Sequence, residues 1–115
     1  MCTRTELDMI LADFVAGVEE IFGTKLREVI LFGSYARGDN DVESDVDIAI
    51  LADVSKEDEM RYMEDIINLM SKIDRKYNYA ILLSPTVLSY GFFTQWQKVI
   101  PFYRNIMEEG VSLDA

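Results

Sequence analysis

Gly33-Ser34 closes an apolar run, Arg37 follows within a turn, and Asp45-Val46-Asp47 opens a second apolar run. Those residue types in that order suit one kind of chemistry, the holding of a nucleoside triphosphate and a divalent cation. A glycine lets the backbone turn tightly and approach a phosphate. Ser34 offers an amide and a hydroxyl at the same place, and if residues 35 to 38 start a helical turn, the amides there favour anions. Arg37 can meet a phosphate through charge-assisted hydrogen bonds or hold the acidic loop in place. Two aspartates one residue apart on a strand point to one face, with α-carbons about 6.7 Å apart. Both can lean onto one cation, or onto two bridged by phosphate, and Mg2+ suits carboxylates combined with triphosphate oxygens. The candidates are therefore Gly33, Ser34 and Arg37 for the nucleotide, and Asp45 and Asp47 for metal and catalysis.

The surrounding pattern must bring these residues together. Thr3-x-x-Glu6 reads as a capping box, and Leu7, Ile10, Leu11, Phe14, Val15, Val18, Ile21 and Phe22 follow helical spacing up to Gly23. Val29-Ile30-Leu31-Phe32 is too short for a helix and is read as a strand buried on both faces. Asp45 to Leu51 is the second strand. The connection between them is about a dozen residues without a long helical pattern, too short for a usual parallel crossover. The two strands are therefore expected to be antiparallel neighbours, which puts Gly33-Ser34 beside Asp45 and Asp47.

Ser55 is read as the N-cap of the next helix, whose buried stripe is Met60, Met63, Ile66, Ile67, Met70, Ile73 and Tyr77. Tyr79 to Leu83 is read as the third strand, closed by Ser84-Pro85, with a further strand or helix starting near Thr86. Pro101 fits the first turn of a helix that ends before Gly110. Tyr90, Phe92, Phe93, Trp96, Phe102 and Tyr103 crowd this last segment. They either pack a terminal helix onto the sheet or stay exposed as a partner surface. The expected order α-β-β-α-β-α gives an α/β (α+β) class, with a small mixed sheet flanked by helices. A chain of 115 residues without repeat or linker is expected to be a single domain over 1–115.

Composition removes several chemistries. The chain has no histidine, so serine and cysteine nucleophiles paired with histidine, and histidine zinc sites, are excluded. The single cysteine, Cys2, has no internal partner. With 21 acids against 11 bases the net charge is −10, which disfavours a long nucleic acid. A small phosphorylated ligand with its own cations, or a basic protein partner, is compatible with that charge. No apolar run has the length of a membrane span, and no secretory leader pattern opens the chain. The expected location is cytoplasmic.

Single motifs here carry little weight. In a chain with 11 aspartates about one Asp-x-Asp arises by chance. A second, Asp39-Asn40-Asp41, lies in a polar stretch and is read as solvated. A calcium loop tried on residues 39 to 50 fails, because Ser44 stands where glycine is needed and Ile50 where a bidentate glutamate is needed. The combination is far more specific. Gly33-Ser34-Tyr35-Ala36-Arg37-Gly38 with Ser44-Asp45-Val46-Asp47 resembles the signature of the DNA polymerase β-like nucleotidyltransferase superfamily, and the short length resembles its minimal nucleotidyltransferase branch.

That resemblance implies a mixed sheet with flanking helices, with Mg2+ and a nucleoside triphosphate, ATP in the first instance. It implies triphosphate binding by Gly33 and Ser34 and metal binding by Asp45 and Asp47. It further implies transfer of a nucleoside monophosphate, AMP, to a hydroxyl of a small helical HEPN-type partner, as the antitoxin of a toxin–antitoxin system. The family pattern also expects a third carboxylate on the following strand. On the reading above that place holds Ala80, or Asn78 if the register slips, and Asp74 belongs to the preceding helix. Loss of a general base costs about 10²- to 10⁴-fold in rate. Two readings follow: a nucleotidyltransferase, or a catalytically weakened binding module that neutralises a partner by forming a complex. The base, the acceptor and the oligomeric state are open at this level.

Overall fold

A computed structural model describes residues 3–38 and 45–113. The first helix, α1, spans Arg4–Phe22. The Thr3 side chain accepts a hydrogen bond from the Glu6 amide at 3.0 Å, which satisfies one of the amides a helix start leaves over. Gly23, at φ 56°, ends it, and its N–H donates to the Glu19 carbonyl. A short 3-10 turn leads into β1, Leu26–Phe32. A four-residue helix, α2, Ser34–Arg37, follows directly. Then come β2, Val46–Ala52, and α3, Glu59–Lys76. The Ser55 hydroxyl caps the 3-10 turn Lys56–Asp58 that precedes α3.

The strands form one mixed sheet in the order β3-β2-β1-β4, where β3 is Leu83–Ser89 and β4 is Val111–Ser112. β1 and β2 are antiparallel, with Phe32 opposite Asp47 and Ile30 opposite Ala49. β2 and β3 are parallel, with Asp47 opposite Ser84, and α3 supplies the crossover. β4 lies antiparallel on the other side of β1. Two helices, α4 (Tyr90–Trp96) and α5 (Pro101–Glu109), complete the fold. The mixed sheet flanked by helices is the expected class.

Alternation along β2 divides the interior. Val46, Ile48, Ile50 and Ala52 face α1 and α3, where Ile10, Phe14, Val18 and Ile66 are buried with Val29, Leu83 and Val87. Ala49 and Leu51 face the other way, onto Phe93 of α4 and Tyr103 and Ile106 of α5, beside Ile30 and Leu88. Each large side chain buried in this way contributes about 1.5–3 kcal/mol. The continuous apolar character of β2 is that of a strand covered on both faces. Asp45 and Asp47 lie on the α4–α5 side, beyond the end that those helices cover.

Buried Glu59, at the start of α3, ties that helix to the opposite end of the sheet. Its Oε2 accepts the Ser89 amide at 2.8 Å and its Oε1 accepts from Lys56 Nζ at 2.9 Å. That pairing satisfies a carboxylate that would otherwise be costly inside.

Three expectations need correction. Tyr79 to Leu83 is not the third strand: β3 begins at Leu83 and runs on through Pro85 to Ser89. Residues 78–82 instead form the turn into it, with Asn78 and Tyr79 both at positive φ. Pro85 does not end the strand, because β3 is an edge strand, where a missing N–H is tolerated. The stripe of α3 is also narrower than expected, since Met60 and Ile67 are exposed while Ile66 and Ile73 are buried. In the last segment Phe93 and Tyr103 pack onto the sheet, whereas Trp96 and Phe102 remain partly exposed. No helix of the described residues is long and apolar enough to cross a membrane.

Candidate functional site

The end of β1, the start of α2 and the start of β2 converge. β1 ends at Phe32, and Gly33 turns the chain at φ 77°, ψ −156°, a conformation other residues rarely adopt. That turn leads straight into α2, with Arg37 N–H donating to the Gly33 carbonyl at 3.1 Å and Gly38 N–H to the Ser34 carbonyl at 2.9 Å. Gly38 closes the helix at φ 82°. The helix start carries Ser34 at its first position, where amides lack intrahelical acceptors and favour anions.

Because β1 and β2 are antiparallel, this turn meets the acids. The Asp47 carboxylate rests against the α-carbon of Gly33, so closely that a β-carbon there would overlap Asp47 Oδ2. Asp45, exposed, precedes β2 and shares a face with half-buried Asp47. Burial pushes the Asp47 carboxyl above its ordinary pKa; the Asp45 charge adds to that, and the Arg37 guanidinium opposes it. Two acids held this close, one of them partly desolvated, form a place where a cation relieves both repulsion and burial. As a donor set, two carboxylates open to solvent fit Mg2+ together with phosphate oxygens.

Arg37 lies at the edge of this group. Its Nη1 is 3.2 Å from Glu109 Oε2 and 3.3 Å from Oε1, which links α2 to the end of α5. The structure thus brings Gly33, Ser34, Arg37, Asp45 and Asp47 to one end of the sheet. Ser44 and the Asp39-Asn40-Asp41 motif lie outside the described residues.

The third strand requires a correction at the site as well. Ala80 and Asn78 both precede β3, and Ala80 packs on the α1–α3 side. The β3 residue opposite Asp47 is Ser84. Among the described residues there is no group of three His, Cys, Asp or Glu that could hold a metal ion. Sequence reasoning also missed Phe32, which flanks Asp47 from β1 and meets the Phe102 ring edge-on at 5.6 Å. Neither neighbour could be found without the register. The aromatic excess near the C-terminus was the only pointer to Phe102.

Known proteins place this arrangement in context. Two proteins of Methanocaldococcus jannaschii are similar to the chain. The one named "Putative protein adenylyltransferase MJ0604" is 34% identical over 103 residues, spanning 87% of this chain and 90% of its own length. The one named "Putative protein adenylyltransferase MJ0141" is 43% identical over 82 residues, 71% of this chain and 79% of its own length. The fold is shared with a chain in the crystal structure of a toxin–antitoxin with AMP-PNP, at a TM-score of 0.55 and 17% identity over 91% of this chain and 73% of that one. It is also shared with the Sulfolobus solfataricus protein whose structure is named "Crystal structure of a putative nucleotidyltransferase", at a TM-score of 0.51 and 25% identity, over 90% of this chain and 78% of that one. The family model described as Nucleotidyltransferase domain matches residues 11–100, and the chain belongs to that family of transferases.

Proposed function

We propose that this nucleotidyltransferase moves AMP from Mg2+-bound ATP to a hydroxyl group of a partner protein. The observation that carries the reading is the seating of the Asp47 carboxylate against Gly33, which joins the glycine-serine turn and the acid pair into one site. In this reading the Gly33-Ser34 turn and the start of α2 hold the triphosphate, and Arg37 faces its outer oxygens. Asp45 and Asp47 hold the cation, which when bound supplies charge neutralisation at the phosphates. The names of the two archaeal relatives support a protein as acceptor. The toxin–antitoxin neighbour supports an antitoxin role; in this reading the partner is a small helical HEPN-type toxin and the location is cytoplasmic. Transfer of this kind depends mainly on positioning and charge, which two acids and a phosphate cradle can provide.

The test is incubation with ATP labelled at the α-phosphate, Mg2+ or Mn2+, and the product of the adjacent gene. Label on that product, lost in Asp45→Ala and Asp47→Ala, is the expected result. No label above those controls counts against transfer.

One observation favours a second reading. β3 presents a hydroxyl, Ser84, to Asp47 instead of an acid, which suits a weakened transferase that neutralises its partner by complex formation alone. In that case the complex and the neutralisation both survive loss of Asp45 and Asp47.

A further inference from the structure

The acid pair and the glycine-serine turn suit a cation and phosphates, but a nucleotide also carries a flat, weakly polar base. Residues paired across a ladder share a face, so Phe32 of β1 stands beside Asp47 on the acid-bearing face. The Phe102 ring of α5 meets Phe32 edge-on at 5.6 Å and is backed by the Tyr103 ring at 6.1 Å. Phe102 nevertheless stays 43% exposed. A second contact fixes α5 to the same end of the sheet, since Glu109 lies 3.2 Å from Arg37. Phe102 and Glu109 stand two helical turns apart, and so on one flank of α5. That flank runs along the site, with an open phenyl ring at one end and the Arg37 ion pair at the other. A phenyl ring does nothing for phosphate or cation. It matches the one part of a nucleotide that has a π-face, and a base stacks on such a ring whatever its edge carries.

We infer that Phe102, supported by Phe32, is the platform on which the base of the bound nucleoside triphosphate stacks. The inference rests on the triphosphate–metal reading proposed above and extends it: α2 and the acids take phosphates and cation, and α5 takes the base. Stacking reads the flatness of a base, so Phe102 sets the affinity for a nucleotide over bare polyphosphate and leaves the choice between purines to other groups.

Calorimetric titration of AMP-PNP, GMP-PNP and inorganic tripolyphosphate, each with Mg2+, into the whole chain tests it. Phe102→Leu keeps an apolar side chain against Phe32 and Tyr103 but removes the π-face. It is expected to weaken AMP-PNP and GMP-PNP alike by about tenfold and to leave tripolyphosphate unchanged. Phe102→Trp is expected to keep nucleotide affinity at the wild-type level or above. Unchanged AMP-PNP binding in Phe102→Leu and Phe102→Ala, or an equal loss for AMP-PNP and tripolyphosphate, overturns the inference and leaves the triphosphate–metal reading standing. Failure of the wild type to bind any of the three overturns the two together.

Discussion

The Asp47 carboxylate occupies the space where a side chain on Gly33 would begin. The glycine therefore has two separate reasons to be a glycine: a backbone at φ 77° and an acid pressed against its α-carbon. Loop conformation and acid placement are set by one residue, so a change there reads out on both stability and ligand binding.

Gly33→Ala is expected to lower stability by about 1–3 kcal/mol through strain at a positive φ and displacement of Asp47. Urea unfolding measures the first effect. The second appears as loss of the thermal shift that ATP and Mg2+ give the wild type. An alanine variant that keeps both its stability and its ligand shift would show that the close approach has no role.

Asp47 is expected to act against stability in the free protein. Burial first, then the Asp45 charge, raise its pKa above the ordinary 3.8. A carboxyl raised in this way stabilises the fold fully only below its unfolded pKa, and the contribution is lost as pH rises through the folded value. Asp47→Asn should therefore stabilise the ligand-free chain at neutral pH, with the gain vanishing below the unfolded carboxyl pKa of about 3.9. It should also reduce AMP transfer by about 10²-fold or more, since one charged partner of the phosphates is removed. Denaturant unfolding across pH, beside single-turnover transfer, checks the pair of outcomes.

Arg37 and Glu109 give the contrasting case of a surface ion pair. With about a third to a half of each side chain exposed, the pair adds at most about 1 kcal/mol. Arg37→Gln should leave the melting temperature nearly unchanged while weakening ATP binding about tenfold, the worth of one charge-assisted hydrogen bond. Glu109→Gln tests the link to α5: it should leave ATP binding intact or improve it, because a carboxylate that competes with phosphate for the guanidinium is removed. Calorimetric titration of AMP-PNP into each variant distinguishes them.

Asp13 is the stabilising counterpart on α1. Hydrogen bonds from Lys76 and then Tyr77 hold its pKa below 3.8. A lowered carboxylate stabilises above its unfolded pKa, and that contribution is lost as pH falls through the folded value. Asp13→Asn should cost about 1 kcal/mol at neutral pH, a figure already reduced for the exposure of the pair, and nothing in strong acid. Unfolding at several pH values is the measurement.

Much of the site was legible because it is local. Gly33, Ser34 and the two aspartates sit on strand ends whose short connection forces antiparallel pairing, and that pairing is what the fold shows. The capped first helix was legible for the same reason, from Thr3 to Gly23. The third strand was not, because its position depends on non-local pairing. Tyr79-Ala80-Ile81 has the composition of a strand but is drawn into the turn that ends α3, while Leu83–Ser89 gains its place from β2. Propensity could not weigh an edge proline against a parallel partner. Ser84 therefore stayed hidden until the register put it opposite Asp47. α4 and the two-residue β4 were equally invisible, since both are short and owe their form to what they cover.

Pro85 has a consequence beyond its place in β3. It stands in an edge strand of the sheet, one residue from Ser84. An open edge invites a further strand, and a position without an amide hydrogen breaks the row of donors such a strand would need. The sheet is thereby guarded against growing outward next to its acidic end. A strand of a second chain is turned away from the β3 edge at this position.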